Sequence, residues 1–239
     1  MGVNEDFEGE RNAEAALLDI SFFPMGNNNT SKMISLLGAM RKQMNGAVAD
    51  AMYYYGANYG LNYGVSLPTV RQIAKDTEQD HDLALYLYKQ QVRELRLAAL
   101  HIADGEKITL EELPTWAEGV INSEVAEEMA FALLPRTSIL ADIFAEWSKS
   151  ENEFLVYAAL MAAARSNIAR DTNAILVTPS ILNRFSSSRI IAQGVVALLA
   201  AAYDCDSEAR KCVAEVVSKL EESPAANYVT EEMSWRMEF

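Results

Sequence analysis

The chain has 239 residues, half of them apolar, with 11 Gly, 6 Pro and a formal net charge of -14. A chain of this length can bury a sizeable core as one large domain or two small ones, and so few turn-formers exclude an all-β sandwich. The negative charge handicaps non-specific DNA binding, which draws on phosphate neutralisation, unless a local basic stripe offsets it.

Residues 1–30 read as an acidic leader carrying six acids and one Arg. Within it, Glu14 to Phe23 is a short amphipathic stretch, and the loop GNNNTS follows, with Thr30 or Ser31 placed to cap the next helix. The N-terminus has no basic n-region and no apolar h-region, so a cytoplasmic location is expected. No apolar run reaches the ~18 residues of a membrane span, because Gln193 interrupts the longest, Ile190 to Tyr203.

From residue 31 onward, apolar residues recur at three- and four-residue spacing. The pattern predicts helices near 31–44, 46–57, 66–77, 81–90, 92–103, 109–121, 123–134, 138–149, 152–167, 171–184, 188–203, 207–222 and 230–237. The joints carry their own stop and start chemistry. Ser66 caps a helix with Pro68 in its first turn, and Asp80 caps the helix starting at His81. Thr109-x-x-Glu112 is a capping box, Pro135 ends a helix, and Ser138 can start the next. Joints of two to six residues make neighbouring helices antiparallel. Thirteen short helices with tight joints and no strands indicate an all-α, HEAT-like α-solenoid over 31–223, followed by a C-terminal tail and helix at 224–239.

One composition shift interrupts this pattern, MYYYGANYGLNYGV, with Tyr53, Tyr54, Tyr55, Tyr59 and Tyr63 among three glycines. Such rings can form a platform for a base or ligand, or they can pack a loop behind a helix C-cap where Gly supplies left-handed φ. The chain has no Gly-rich phosphate loop, HExxH, CxxC or GxSxG pattern, and only His81 and His101 are available as imidazoles. No metal or other cofactor is therefore expected. His101 reads as a hydrogen-bonded helix residue. Cys205 and Cys212 are about two helical turns apart, too far for a disulfide, and read as free thiols.

The segments GVSLPTVRQIAK (64–75) and LALYLYKQQVRELRLAALHIAD (83–104) carry a more specific signal. Together with LEELPTWAEGVINSEVAEEMAFALL (110–134) and AEWSKSENEFLVYAALMAAA (145–164), they resemble the DNA alkylation repair family of HEAT-like DNA glycosylases. Arg71, Ile73, Ala74, Lys75, Leu87, Tyr88, Glu94, Arg96, Ala99 and Leu100 carry the likeness, which spans roughly 31–205. It implies a concave solenoid whose inner helices face duplex DNA, and a hydrolase that breaks the N-glycosyl bond of cationic N3- or N7-alkylated purines without a metal. A carboxylate and aromatic rings would stabilise the cationic base and the oxocarbenium-like sugar.

The family's Trp-Asp-x-x-Asp pattern falls on Ser123 to Glu127. Ser123 stands in place of the Trp, and Glu127 keeps the second acid. Its Trp-x-Arg-Arg-Ala-Ala pattern falls on Phe154 to Ala159, with both arginines lost and Tyr157 at one of them. Ser123, Tyr157, Trp147, Tyr54 and Tyr59 are thus groove candidates, and Glu127 is the candidate catalytic acid, although Glu124, Glu127 and Glu128 equally read as solvated acids on one helix. Arg71 with Lys75, Arg93 with Arg96, Arg165 and Arg189 are the candidate nucleic-acid contacts, or else they answer helix dipoles and nearby acids. Two functions remain open. A divergent non-catalytic protein would bind a protein partner or duplex DNA, whereas an active glycosylase would use Glu127 as its electrostatic stabiliser. The missing Trp, the missing arginines and the acidic charge favour the first.

Overall fold

The computed structural model describes residues 28–57 and 59–238. The leader's residues 1–27, with the stretch Glu14–Phe23, lie outside the described residues. The regular structure of the described part is helical apart from one isolated backbone bridge, Leu61 to Val92. Fourteen α-helices follow one another: α1 (Asn28–Arg41), α2 (Gly46–Tyr54), α3 (Leu67–Lys75), α4 (His81–Tyr88), α5 (Arg93–Ile102), α6 (Leu113–Glu118), α7 (Ser123–Glu128), α8 (Leu140–Trp147), α9 (Glu153–Ala164), α10 (Thr172–Leu176), α11 (Thr178–Arg184), α12 (Arg189–Tyr203), α13 (Ser207–Ser218) and α14 (Pro224–Met237). No helix among the described residues is long and apolar enough to cross a membrane.

Most joints act as their side chains dictate. Ser66 Oγ accepts the Thr69 amide at 3.3 Å, and Asp80 Oδ1 accepts the Leu83 amide at 3.0 Å, each satisfying one of the orphan donors of a helix start. Glu112 reaches back to the Thr109 amide at 3.4 Å. Elsewhere the chain departs from the expected boundaries. Thr30 and Ser31 lie inside α1, which already begins at Asn28, and do not cap it. Ser138 does not start α8, because Thr137 Oγ1 takes the Ile139 amide at 3.3 Å and the helix begins at Leu140. The helix expected over 171–184 breaks into α10 and α11 where Pro179 removes a donor, and Thr178 Oγ1 satisfies the Ile175 carbonyl at 2.7 Å. The last helix starts at Pro224, capped by Ser223 Oγ on the Ala226 amide at 3.1 Å, well before the expected 230.

Successive helices pair as α4 with α5, α8 with α9, α10–α11 with α12, and α13 with α14. The second members stack on one another, α5 beside the end of α7, then α9, α12 and α14, while α3 lies against α5. This row holds the core. Nine of the ten residues of α5 and eight of the twelve of α9 are buried. A helix buried on all sides has no free face for its polar residues, so Arg93, Glu94 and Arg96 of α5 must find partners inside the fold.

α7 ends unusually. Its last turn opens into a π-turn, Met129–Leu133, and then a 3-10 turn over Leu134–Arg136 that contains Pro135. The opening leaves Phe131 52% exposed while its neighbours Ala130 and Ala132 stay buried. Cys205 lies in the turn between α12 and α13 and Cys212 within α13, and both are free thiols.

Candidate acidic pocket on helices α3, α7 and α9

Three of the residues singled out from the sequence meet in one place. Arg71 from α3, Glu127 from α7 and Arg165 at the end of α9 line a pocket of about 260 Å³, together with Glu124, Glu128 and Phe131. Helical spacing explains the grouping: Glu124, Glu127 and Glu128 are i, i+3 and i+4 on one face of α7, and that face looks across to α3.

The three carboxylates are not equivalent, and the reading of all three as solvated is corrected by their partners. Only Glu127 is exposed. Glu128 is 1% exposed and accepts two bonds from Arg71, Nε to Oε1 at 2.8 Å and Nη2 to Oε2 at 2.6 Å. His101 Nε2 bonds to the same Oε1. Burial opposes ionisation of Glu128, but the hydrogen bonds from Arg71 and His101 outweigh it and hold its carboxyl down at about 2. Arg71 also stacks on Phe131, its guanidinium carbon 4.6 Å from the ring centroid. Both the charge and one π-face of this pair are therefore used within the fold.

Glu124 is held from the other side. Arg93 Nε donates to Glu124 Oε2 at 2.8 Å and its Nη2 to Oε1, and Tyr59 Oη donates to Oε2 at 2.6 Å. Burial first, then the Glu124 charge, pushes the Tyr59 hydroxyl well above the usual phenol range. Tyr157, 4% exposed, donates from Oη to Glu127 Oε1 at 2.9 Å, and burial with that carboxylate raises its hydroxyl as well. Glu127 thus keeps one oxygen without a hydrogen-bond partner among the described residues.

The remaining candidates fall elsewhere. Arg93, 2% exposed, is engaged through Glu124, Glu94 and the Val65 carbonyl, and cannot meet a phosphate. Arg96 is buried against the end of α4. Trp147 is 2% exposed in the core of α8 and offers no ring to a groove. Ser123 is exposed at the start of α7, and Tyr54 is exposed at the end of α2, set edge-on to Tyr55 with ring centroids 5.2 Å apart. Lys75 is exposed in the last turn of α3. Arg189 is exposed at the start of α12 and stacks on Tyr228 at 4.8 Å. Arg165 is exposed, with Nη1 on the Met161 carbonyl at 2.8 Å.

The tyrosine segment divides. Tyr53, Tyr54 and Tyr55 project from α2, which buries no residue, while Tyr59 and Tyr63 pack on the core. Glu94, fully buried, accepts the amides of Tyr63 at 3.1 Å and Val65 at 3.2 Å and so fastens the loop to α5. Phe131 is a pocket residue that sequence patterning missed, and Glu128 is one that it reads as solvated. A π-turn carries no residue signature, and the burial of Glu128 depends on partners 57 and 27 residues away. Among the described residues no group of three or more His, Cys, Asp or Glu could hold a metal ion.

Comparison with known proteins adds the following. A family model described as DNA alkylation repair enzyme matches residues 36–212. No protein of curated function matches the chain. A solved structure, described as a new family of proteins related to the HEAT-like repeat DNA glycosylases with affinity for branched DNA structures, matches 84% of this chain and 94% of its own, with a TM-score of 0.64 at 15% identity. At that identity the likeness is one of fold.

Proposed function

The chain belongs to the DNA alkylation repair enzyme family, and we propose that it is a divergent, non-catalytic member that uses the face of α3, α7 and α9 to bind a partner. One observation carries this reading: two of the three carboxylates in the pocket already hold the fold's own guanidiniums, Glu128 that of Arg71 and Glu124 that of Arg93, so those cations are not free. A surface that binds duplex DNA needs cations free to replace the phosphate counter-ions. Arg165 alone is unpaired with a carboxylate in this pocket, and Glu127 stands open beside it. Such a site offers a phosphate backbone a single free cation, while the open Glu127 carboxylate attracts a cationic side chain, so the partner of this reading is a basic protein segment. The affinity for branched DNA is stated of the proteins of that solved structure, and the scarcity of free cations in this pocket argues against carrying it to this chain.

A second reading has its own support. Glu127 is an exposed carboxylate oriented by Tyr157, with the Phe131 ring in the same pocket, which is a fitting environment for a cationic alkylated base. One experiment separates the two. Duplex DNA carrying 7-methylguanine and 3-methyladenine is incubated with the protein and with Glu127→Gln, and released bases are quantified. The proposal expects no release above background from either protein, no gel shift of duplex at moderate salt, and salt-sensitive binding of a Lys/Arg-rich peptide. Base release by the unmodified chain that disappears in Glu127→Gln would overturn it in favour of the glycosylase.

A further inference from the structure

A second cavity, of about 510 Å³, shares no lining residue with the acidic pocket. It lies among the Gly60 loop, the joint between α4 and α5, and α6. Its walls are built rather than incidental. Gly119 lets the Tyr88 ring lie flat against the end of α6, since a Cβ there would stand 2.2 Å from Tyr88 Cε1. Tyr88 Oη locks that position by donating to the Trp116 carbonyl at 2.9 Å. Gly60 likewise brings its loop against Gln91, where a Cβ would meet the Gln91 carbonyl at 2.8 Å.

Into this cavity the fold places a cation without a counter-ion. Arg96 is 9% exposed, and its guanidinium makes only long hydrogen bonds of 3.4 Å, from Nε to the Tyr88 carbonyl and from Nη2 to the Gln90 carbonyl, and lies 5.9 Å from the Tyr88 ring centroid. Among the described residues it pairs with no carboxylate, whereas Arg93, one turn earlier, faces two. The carbonyls at the end of α4 compensate part of that charge. Arg96 Nη1 makes no hydrogen bond to a described residue, and the side chain lines the cavity. A buried cation left in this state favours an anion from solution. Lys89, exposed at the same cavity, supplies a second positive charge, and Glu118, Thr115 and Gln91 add groups that hydrogen-bond hydroxyls.

We propose that this cavity is a binding site for a phosphomonoester of mononucleotide size. Arg96 and Lys89 hold the phosphate, and Glu118 and Gln91 hold the hydroxyl-bearing remainder. Two cations against the one carboxylate of Glu118 leave the cavity net positive, the guanidinium fork matches phosphate geometry, and the volume exceeds what a bare anion fills. The site stands independently of how the face of α3, α7 and α9 is used.

Titration calorimetry on the full chain tests it with a nucleoside 5′-monophosphate, the corresponding nucleoside and inorganic phosphate. The monophosphate is expected to bind and to raise the thermal midpoint, with the nucleoside far weaker. Arg96→Gln should weaken the monophosphate by roughly ten- to a hundred-fold, the range of a lost charge-assisted bond, with far-UV circular dichroism unchanged. Ile121→Trp, which fills the cavity and leaves both cations in the chain, should abolish binding. No heat with the monophosphate at millimolar concentration overturns the site, as does unchanged affinity in both variants or equal binding of the nucleoside. Binding of inorganic phosphate but not of the monophosphate overturns the assigned ligand size.

Discussion

Arg71 on α3 and Glu128 on α7 form a two-pronged ion pair, with N–O distances of 2.8 and 2.6 Å, that joins segments 57 residues apart in the chain. The carboxylate is buried, whereas the arginine side chain stays 39% exposed. The pair is therefore a structural clamp whose cost falls on Glu128. Its carboxyl, depressed to about 2, contributes stability that is fully present above the ordinary carboxylate range and is lost as pH falls from about 4.5 towards 2. Urea unfolding midpoints at pH 5 and pH 3 check this. The unmodified chain should lose on the order of 1–3 kcal/mol over that interval in excess of Glu128→Gln, which has no proton to gain. Parallel losses in the two proteins would count against the clamp.

Glu94 is the second buried acid on which the fold depends. It accepts the amides of Tyr63 and Val65 and lies 3.2 Å from Arg93 Nη1. Glu94→Gln removes one partner of a buried charge pair and turns an acceptor toward the loop into a donor. The expected destabilisation is about 3–5 kcal/mol, with hydrogen exchange fastest at Tyr63 and Val65. Exchange that stays slow at those two amides would show that the loop is held by other contacts.

Much of this fold was legible because helix starts depend on local chemistry. Ser66, Asp80 and Thr109-x-x-Glu112 act within three or four residues, so their roles can be read in the sequence and are found in the structure. The division of α10 from α11 at Pro179 was overlooked although the proline was visible, since the apolar period runs on across it. The pocket was legible only in part. A family pattern points to Arg71 and Glu127, and a place near a helix end to Arg165, but neither says whether an acid is paired. Glu128 is buried by Arg71 and His101, and Arg93 by Glu124, and both are long-range events. Trp147, a groove candidate from the sequence, is buried in the core; a Trp at a helix end reads alike whether it faces solvent or core.

That last ambiguity has a direct test. Trp147→Ala removes a ring that is 2% exposed and should cost about 3–5 kcal/mol of stability, while Tyr54→Ala removes one that is 82% exposed and should change stability by less than about 0.5 kcal/mol. Thermal unfolding of both variants checks the contrast, and a neutral Trp147→Ala would return that ring to the surface.

Two glycines make the sharpest pair. Gly38 sits inside α1 with open space where a Cβ would go, so Gly38→Ala relieves only the entropic penalty of glycine in a helix and should stabilise the protein by about 0.5–1 kcal/mol. Gly64 has φ +67 and a Cβ position 2.0 Å from the Asn45 carbonyl oxygen and 2.8 Å from the Ala49 amide nitrogen, both of them backbone. Neither neighbour can rotate away, because the Asn45 amide is itself bonded to the Tyr63 carbonyl at 2.8 Å and its own carbonyl accepts Ala49 at 3.1 Å. Gly64→Ala therefore forces α2 off the tyrosine loop, and strain and overpacking together predict a loss of about 3 kcal/mol or more. Differential scanning calorimetry of the two variants should move the midpoint in opposite directions. A Gly64→Ala midpoint within a degree of the unmodified protein would mean that α2 is not seated against that loop.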